Sequence, residues 1–115
     1  LPILSKIEEF DIKEKTYSLI SSQFVLPFFS KEDAKSVIIK MIHGTIPQGI
    51  VSFNLMGEKD EWKDKWTTWT REEADAFIAT LPVKVHKTIT EEGMGITRAK
   101  DFRYWHILNY VLIVQ

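Results

Sequence analysis

The three histidines are the side chains best suited to acid–base or metal chemistry, because imidazole titrates near neutral pH. They are His43, His86 and His106, and no two share the short spacing that brings two imidazoles to one metal ion. The sequence therefore predicts no zinc or iron site. His106 lies in an apolar segment, which favours a hydrogen-bonded core histidine over the alternative of a general base. His43 is expected near a helix end and His86 on an exposed strand.

Residues 57–69 are polar and charged, yet they include Trp62, Trp66 and Trp69. Indole rings offer a large contact area and can face a cation, so Trp62 and Trp66 are candidates for the wall of a substrate pocket. The same rings could instead form a small core beneath a long loop, and the sequence leaves both interpretations open.

Three acidic residues of this segment, Glu58, Asp60 and Glu61, lie beside Lys59 and Lys63. Such mixing is typical of a solvated loop and does not indicate a pair of catalytic carboxylates. The chain has no cysteine, which removes thiolate nucleophiles, thiolate metal sites and disulfides. The absence of cysteine is compatible with a reducing cytoplasm, where we expect the protein to lie.

The composition is that of one globular domain, with 115 residues of which 44% are hydrophobic. Basic and acidic residues number 15 and 16 and are mixed along the chain, so no basic stripe is offered to nucleic acid. The longest apolar stretch, residues 107–114, is far shorter than the roughly 20 residues that span a bilayer. We expect neither a nucleic acid nor a membrane as partner. Because the chain begins at Leu1, we expect it to be part of a longer protein.

The first half of the chain is predicted to form a strand, a helix and a second strand. Residues 16–25 favour a strand buried on both faces. The motif Ser30-Lys-Glu-Asp33 then predicts a helix start, and Gly44 a left-handed helix stop. Residues 47–49 predict a turn in which Gly49 takes the positive φ, before a strand at 50–55. The apolar stripe expected on the helix is Ala34, Val37, Ile38, Met41 and Ile42.

The second half is predicted to contain one more helix and two strands. The capping box Thr70-Arg-Glu-Glu73 begins a helix with an apolar stripe that Pro82 should end. Residues 83–90 alternate in polarity, as an edge strand does, and residues 91–95 read as a turn or long hairpin loop. Residues 105–114 are apolar on both faces and predict a buried final strand.

Five blocks follow one another along the chain: Tyr17-Ser-Leu-Ile-Ser-Ser22, Ile46-Pro-Gln-Gly49, Gly57-Glu-Lys-Asp-Glu-Trp62, Trp69-Thr-Arg-Glu-Glu73 and Tyr104-Trp-His-Ile107. These blocks resemble those of class I S-adenosylmethionine (SAM) dependent methyltransferases, of the small-molecule type related to tellurite-resistance methyltransferases. Two positions depart from the family pattern: Ser18 stands where an acid is common, and Ile50 where a second glycine is common. The glycine-rich cofactor loop of the family's first half is not in this sequence.

The resemblance implies an α/β fold, the second half of a Rossmann-like sheet, with residues 1–115 as a single partial domain. The family's strands four to seven would lie in the spatial order four, five, seven, six, with the last strand antiparallel between its neighbours. The implied activity is methyl transfer from SAM to a small molecule by a larger parent enzyme. Since the methyl donor carries the difficult chemistry, no catalytic residue is predicted.

The resemblance also implies two groups of cofactor-binding residues. Ser5, Lys6 and Ile7 would follow the family's third strand, near the adenine, and the alternative for them is a surface loop. A second group, Ser22, Gln23 and Phe24, would follow the fourth strand, near the methionine part of SAM. Open α/β sheets bind ligands beyond the carboxyl ends of their strands, which gives this placement its physical reason.

Other interpretations remain open. The strand at 17–25 should lie at an open sheet edge, where an uncovered apolar strand favours association. A homodimer through 17–25, a strand swap or protection by residues outside this sequence is therefore expected. The chain could then be a non-catalytic, methyltransferase-like binding or dimerisation module. An unrelated Rossmann-like enzyme is less favoured, because the antiparallel final hairpin is not its usual ending. Without the glycine-rich loop, the isolated chain should have negligible activity.

Overall fold

A computed structural model describes residues 15–96 and 102–115, which form five strands and two helices. Ser5, Lys6 and Ile7 lie outside the described residues. A short 3-10 turn, Leu26–Phe28, follows the first strand. In chain order the elements are β1 (Tyr17–Ser22), α1 (Lys31–Gly44), β2 (Thr45–Gly57), β3 (Thr68–Trp69), α2 (Arg71–Ile78), β4 (Val83–Ile96) and β5 (Phe102–Val114).

The strands form one mixed sheet in the order β1, β2, β5, β4. β1 pairs with β2 in parallel, while β5 is antiparallel to both β2 and β4. The two-residue strand β3 adds to the end of β2, beyond the segment that pairs with β1. The predicted order four, five, seven, six, with an antiparallel last strand between its neighbours, is confirmed.

Helix α1 begins as its sequence predicts, because the Ser30 hydroxyl accepts from the Asp33 amide at 3.1 Å and caps the first turn. The five residues of its predicted stripe are all buried. The predicted left-handed stop at Gly44 is wrong, because Gly44 is the last helical residue and does not have a positive φ. The chain passes directly into β2, and the Thr45 hydroxyl donates to the Met41 carbonyl at 2.7 Å, so no left-handed residue is needed.

The predicted turn at 47–49 is a bulge within β2. Tyr17 pairs with Thr45 and Leu19 with Ile50, so five residue steps of β2 (50 − 45) face two of β1 (19 − 17). Gln48, not Gly49, takes the positive φ, at 68°. Gly49 is required for a different reason: a Cβ there would lie 2.5 Å from Thr45 Cγ2.

Helix α2 begins with the full capping box that the sequence predicts, in which Thr70 and Glu73 each bind the other's backbone amide. It ends at Ile78, four residues before Pro82. The predicted turn at 91–95 is wrong, because these residues continue β4 and pair with the start of β5 through Gly95 and Arg103. Their ladder partners lie further along the chain, where local turn propensity gives no information about them.

The core lies between the two helices and one face of the sheet, where alternate residues of β2 and β5 are buried. On the other face, Leu19 is 59% exposed and its neighbour Ile50 38%. The prediction that residues 16–25 form a strand buried on both faces is therefore wrong within the described chain: β1 ends at Ser22 and is largely exposed. Among the described strands, its predicted place at the sheet edge is confirmed. Neither described helix has the length and apolar character that a membrane span requires.

Candidate functional site

A cleft of about 380 Å³ opens at the carboxyl edge of the parallel strands, between the residue that follows β1 and the far end of the β4–β5 hairpin. The hairpin pairs as far as Ile96 and Phe102, whereas β2 pairs with β5 only to Met56 and Ile107, so the hairpin projects beyond the sheet. The residues lining the cleft are Phe24, Glu91, Glu92, Gly93, Met94, Gly95, Ile96, Trp105 and Ile107.

Phe24 is held at one side of this cleft by the neighbouring strand. Its backbone is left-handed, with φ 57°, an uncommon conformation for a residue with a side chain. The Phe24 amide donates to Asn54 Oδ1 at 2.7 Å, and Asn54 Nδ2 donates to Gln23 Oε1 at 3.1 Å. Asn54 is buried. One fixed side chain of β2 therefore sets the course of the chain as it leaves β1.

The opposite side of the cleft is built on two glycines of β4. In the ladder Glu91 pairs with Ile107, Gly93 with Trp105 and Gly95 with Arg103, so these alternate residues share one face of the hairpin. A Cβ at Gly95 would lie 2.8 Å from Trp105 Cδ1, which means that the indole packs against bare backbone. The Trp105 ring meets Phe24 edge to face, with 6.3 Å between ring centroids.

Asp60 lies beside the cleft and is the residue that sequence reasoning missed. Its side chain is 0% exposed and forms an ion pair with Arg103, whose side chain is 1% exposed. The same carboxylate accepts from the amides of Trp62 and His106, each at 3.0 Å, and from Trp66 Nε1 at 3.2 Å. The prediction of a solvated loop is therefore wrong at Asp60, although Glu58 and Glu61 are exposed as expected.

Arg103 is enclosed by indole rings. Its guanidinium carbon lies 4.2 Å from the ring centre of Trp62, 4.9 Å from that of Trp66 and 3.6 Å from that of Trp105. We call Asp60, Trp62, Trp66, Arg103 and Trp105 the Arg103 cluster. Nε and Nη2 of Arg103 have no hydrogen-bond partner among the described residues, so the aromatic faces are their main contacts.

The two tryptophans predicted to bind substrate thus lie in the Arg103 cluster, where both rings are half-buried. Trp66 also meets Phe28 edge to face at 5.6 Å. Neither Trp62 nor Trp66 lines the described cleft, whereas Trp105 belongs to both the cluster and the cleft wall. The assignment of Trp62 and Trp66 to an acceptor pocket stays a prediction.

A set of titratable side chains lies next to the Arg103 cluster. The Tyr104 hydroxyl donates to Glu92 Oε2, which lowers the pKa of Glu92 and raises that of Tyr104. His106 Nδ1 accepts from the Lys59 amide at 3.1 Å, and its Nε2 lies 3.5 Å from Glu92 Oε1. His106 is buried, so the predicted hydrogen-bonded core histidine is confirmed. In the described ranges, no three metal-ligating side chains of His, Asp or Glu come together.

The structure brings the second predicted cofactor group together at the end of β1. Ser22 is buried, and its hydroxyl has no hydrogen-bond partner in the described chain. Gln23 reaches the side chains of Ser21, Ser52 and Asn54. A sequence alone offers no signal for Asn54 or Asp60 as organising residues. The partners of Asn54 lie 30 and 31 positions away, and Arg103, the ion-pair partner of Asp60, lies 43 positions away.

No protein-family model matches the sequence, and no curated protein matches it. Solved structures do match in shape: TehB from Haemophilus influenzae aligns with a TM-score of 0.77 at 15% identity, over 98% of this chain and 40% of that one. N-methyltransferase NodS from Bradyrhizobium japonicum, in complex with S-adenosyl-L-homocysteine (SAH), gives 0.69 at 14%, over 97% and 53%. A SAM-dependent methyltransferase from Leishmania major gives 0.69 at 17%, over 96% and 44%. The chain has the class I methyltransferase fold and spans about half the length of these proteins or less.

Proposed function

We propose that this chain is the carboxy-terminal half of a cytoplasmic methyltransferase of the tellurite-resistance-like subgroup, which transfers a methyl group from SAM to a small molecule. Its sheet order and its coverage of TehB, 98% of this chain but 40% of that protein, support the proposal. The remaining part of the parent protein would supply the glycine-rich cofactor loop, which this sequence lacks.

The observation that carries the proposal is the cleft at the carboxyl edge, next to the fixed end of β1. Ligands of open α/β sheets bind at this edge. The unpartnered, buried Ser22 hydroxyl, the Gln23 side chain and the Phe24 backbone, both bound by Asn54, offer polar and apolar contacts of the kind that the methionine part of SAM needs. These residues fit the cofactor. Contact of Ser5, Lys6 and Ile7 with the adenine remains a prediction.

In this reaction SAM supplies an activated methyl group. Ser22, Gln23 and Phe24 would hold SAM so that the acceptor's lone pair could take this methyl group, with the electron pair of the broken carbon–sulfur bond left on sulfur. The residues of this chain align the acceptor and exclude water, which is the main source of rate in such transfers. Phe24 and Trp105 are suited to this task, because their rings meet at the cleft mouth.

The test is methyl transfer by the full-length natural protein, supplied with isotope-labelled SAM and a panel of small nucleophiles. Trp105→Ala should lower kcat/KM at least tenfold by opening the cleft to water, which corresponds to about 1.4 kcal/mol of transition-state stabilisation. Phe102→Ala is the matched control, since Phe102 belongs to the same strand and is 68% exposed. Absence of labelled product with every acceptor, in a protein that is folded, would refute the proposal.

A second candidate is a non-catalytic module that associates through the β1 edge. The exposure of Leu19 and Ile50 at that edge favours it, because an open apolar strand is a template for pairing. Sedimentation of the full-length protein distinguishes the two functions. A dimer that protects the amides of residues 17–22 from exchange and binds no SAM would favour the module.

A further inference from the structure

Glu91 is the one unpaired charge on the described lining of the cleft. The lining contains two charged residues, Glu91 and Glu92. Glu92 is occupied by the Tyr104 hydroxyl and has Lys59 within 3.8 Å. Glu91 Oε1 accepts from Asn109 Nδ2 at 3.2 Å, and no described cation or second donor reaches its carboxylate. A carboxylate without a cation, held in place by an amide, can accept a hydrogen bond from a ligand.

The surroundings of Glu91 suit a ligand with an apolar body. Gly93 follows it on the same face, and a Cβ there would meet nothing within 4 Å, so this glycine leaves room above the strand. The space over Gly95 is taken by the Trp105 indole. Phe24, Trp105 and Ile107 supply the apolar walls. The Asn109 side-chain amide also donates to the Ile89 carbonyl at 3.1 Å. This contact fixes Asn109 and therefore the Glu91 carboxylate that it binds.

From this geometry we propose that the cleft selects an acceptor with an amine group on an aromatic or aliphatic body, with Glu91 as the residue that binds the amine. The inference rests on the proposed function and names its substrate class. A protonated amine donates to Glu91, while an anionic acceptor is repelled by both carboxylates of the lining. The ammonium group loses one proton to solvent before water is excluded from the cleft. The nitrogen lone pair could then take the methyl group that bound SAM would supply, with the carbon–sulfur electron pair left on sulfur.

The experiment compares two probes of similar size and opposite charge, tryptamine and indole-3-propionate, on the full-length protein without SAM. Binding is followed by nuclear magnetic resonance through the Gly93 and Gly95 amides and the Trp105 indole N–H. Tryptamine should shift these signals and bind about tenfold more tightly than indole-3-propionate, the preference expected of one favourable charge contact. The preference should fall below about threefold in Glu91→Gln.

Glu91→Gln keeps an oxygen for Asn109, so the fold should survive. Glu72→Gln is the matched control, because Glu72 lies on the exposed side of α2 and should leave the preference unchanged. Equal or tighter binding of the anionic probe, an unchanged preference in Glu91→Gln, or no shift with tryptamine would each overturn the inference. Methyl transfer is measured afterwards, when isotope-labelled SAM is added to the same samples. Amine selection without methyl transfer refutes the proposed enzyme alone, and methyl transfer without amine selection refutes the role of Glu91 alone.

Discussion

The Arg103 cluster includes residues of β5 and therefore belongs to the same sheet as the β1 edge. The two regions differ in how far their side chains are exposed to solvent. In the cluster, two opposite charges are almost completely buried beneath three indoles. At the β1 edge, Leu19 is 59% exposed and no described strand pairs with the outer side of β1. The cluster holds the loop between β2 and β3 against the hairpin, whereas Leu19 of the edge strand exposes an apolar side chain to water.

This contrast distinguishes a region that is packed within the described chain from one that is open to solvent. A buried charge is tolerated only where partners and hydrogen bonds surround it, and Asp60 has four of them. An exposed apolar edge is tolerated only where something covers it or the strand is protected. Among the described residues the hairpin side is therefore packed, and the β1 side is where the rest of the proposed parent protein, or a second copy, would pack.

The largest effect is expected from Asp60→Ala. This change leaves Arg103 buried without its carboxylate, which costs about 3–5 kcal/mol in the free energy of unfolding. Chemical denaturation measures it. Glu58→Ala is the control, since Glu58 is exposed two residues away and should change the stability by less than about 0.5 kcal/mol. Equal stability of the two variants would mean that the ion pair does not hold the loop.

A smaller loss is expected from Trp62→Ala. The ring is half-buried and covers one face of Arg103, so its removal should cost about 1–3 kcal/mol and lower the melting temperature by several degrees. The acceptor KM of the surviving folded enzyme should change little. If the KM rises severalfold at an unchanged melting temperature, the sequence-based assignment of Trp62 and Trp66 to the acceptor pocket is the correct one.

At the β1 edge a substitution should change association and leave the stability of the isolated chain almost unchanged. Leu19→Lys should change the unfolding free energy of the isolated chain by no more than about 0.5 kcal/mol, because the side chain is already exposed. It should weaken packing against a second copy or the rest of the parent protein, as measured by sedimentation and by the stability of the full-length protein. Ile89→Lys, on the opposite edge strand β4 and 42% exposed, is the control. If both variants showed the same sedimentation and the same stability, β1 would not be the preferred edge for association.

The smallest effect is expected from pH, at Glu92. Its folded pKa is lowered, first by the Tyr104 hydroxyl, so it favours the folded state above the unfolded pKa and loses that contribution as the pH falls through the folded pKa. The stability of Glu92→Gln should therefore fall less than that of the unsubstituted protein as the pH is lowered from neutral into the acid range. Thermal melts across that range measure the difference, and parallel curves would show that the Tyr104 contact is not kept in solution.

The comparison also explains what could be predicted from the sequence. Helix starts at Ser30 and Thr70 depend on residues three positions apart, so their motifs predict them. The sheet order followed from the resemblance, but the end of β1 at Ser22 was not predicted, because the strand pattern continues to residue 25. Asp60 was not predicted, because its partner Arg103 lies 43 positions away in a strand. Distance along the chain also explains residues 91–95. Their local pattern predicts a turn, but pairing with β5 makes them part of a strand.

Calorimetry with SAH tests the central claim most directly, because a methyltransferase half should need the rest of its domain to bind the cofactor. The full-length protein should bind SAH, and Leu1–Gln115 alone should bind it weakly or not at all. Phe24→Ala in the full-length protein should weaken binding, since Phe24 follows β1 at the proposed cofactor edge. A folded full-length protein that shows no heat of binding with SAH would contradict the account, and tight binding by the isolated chain would contradict the assignment of this chain as an incomplete half.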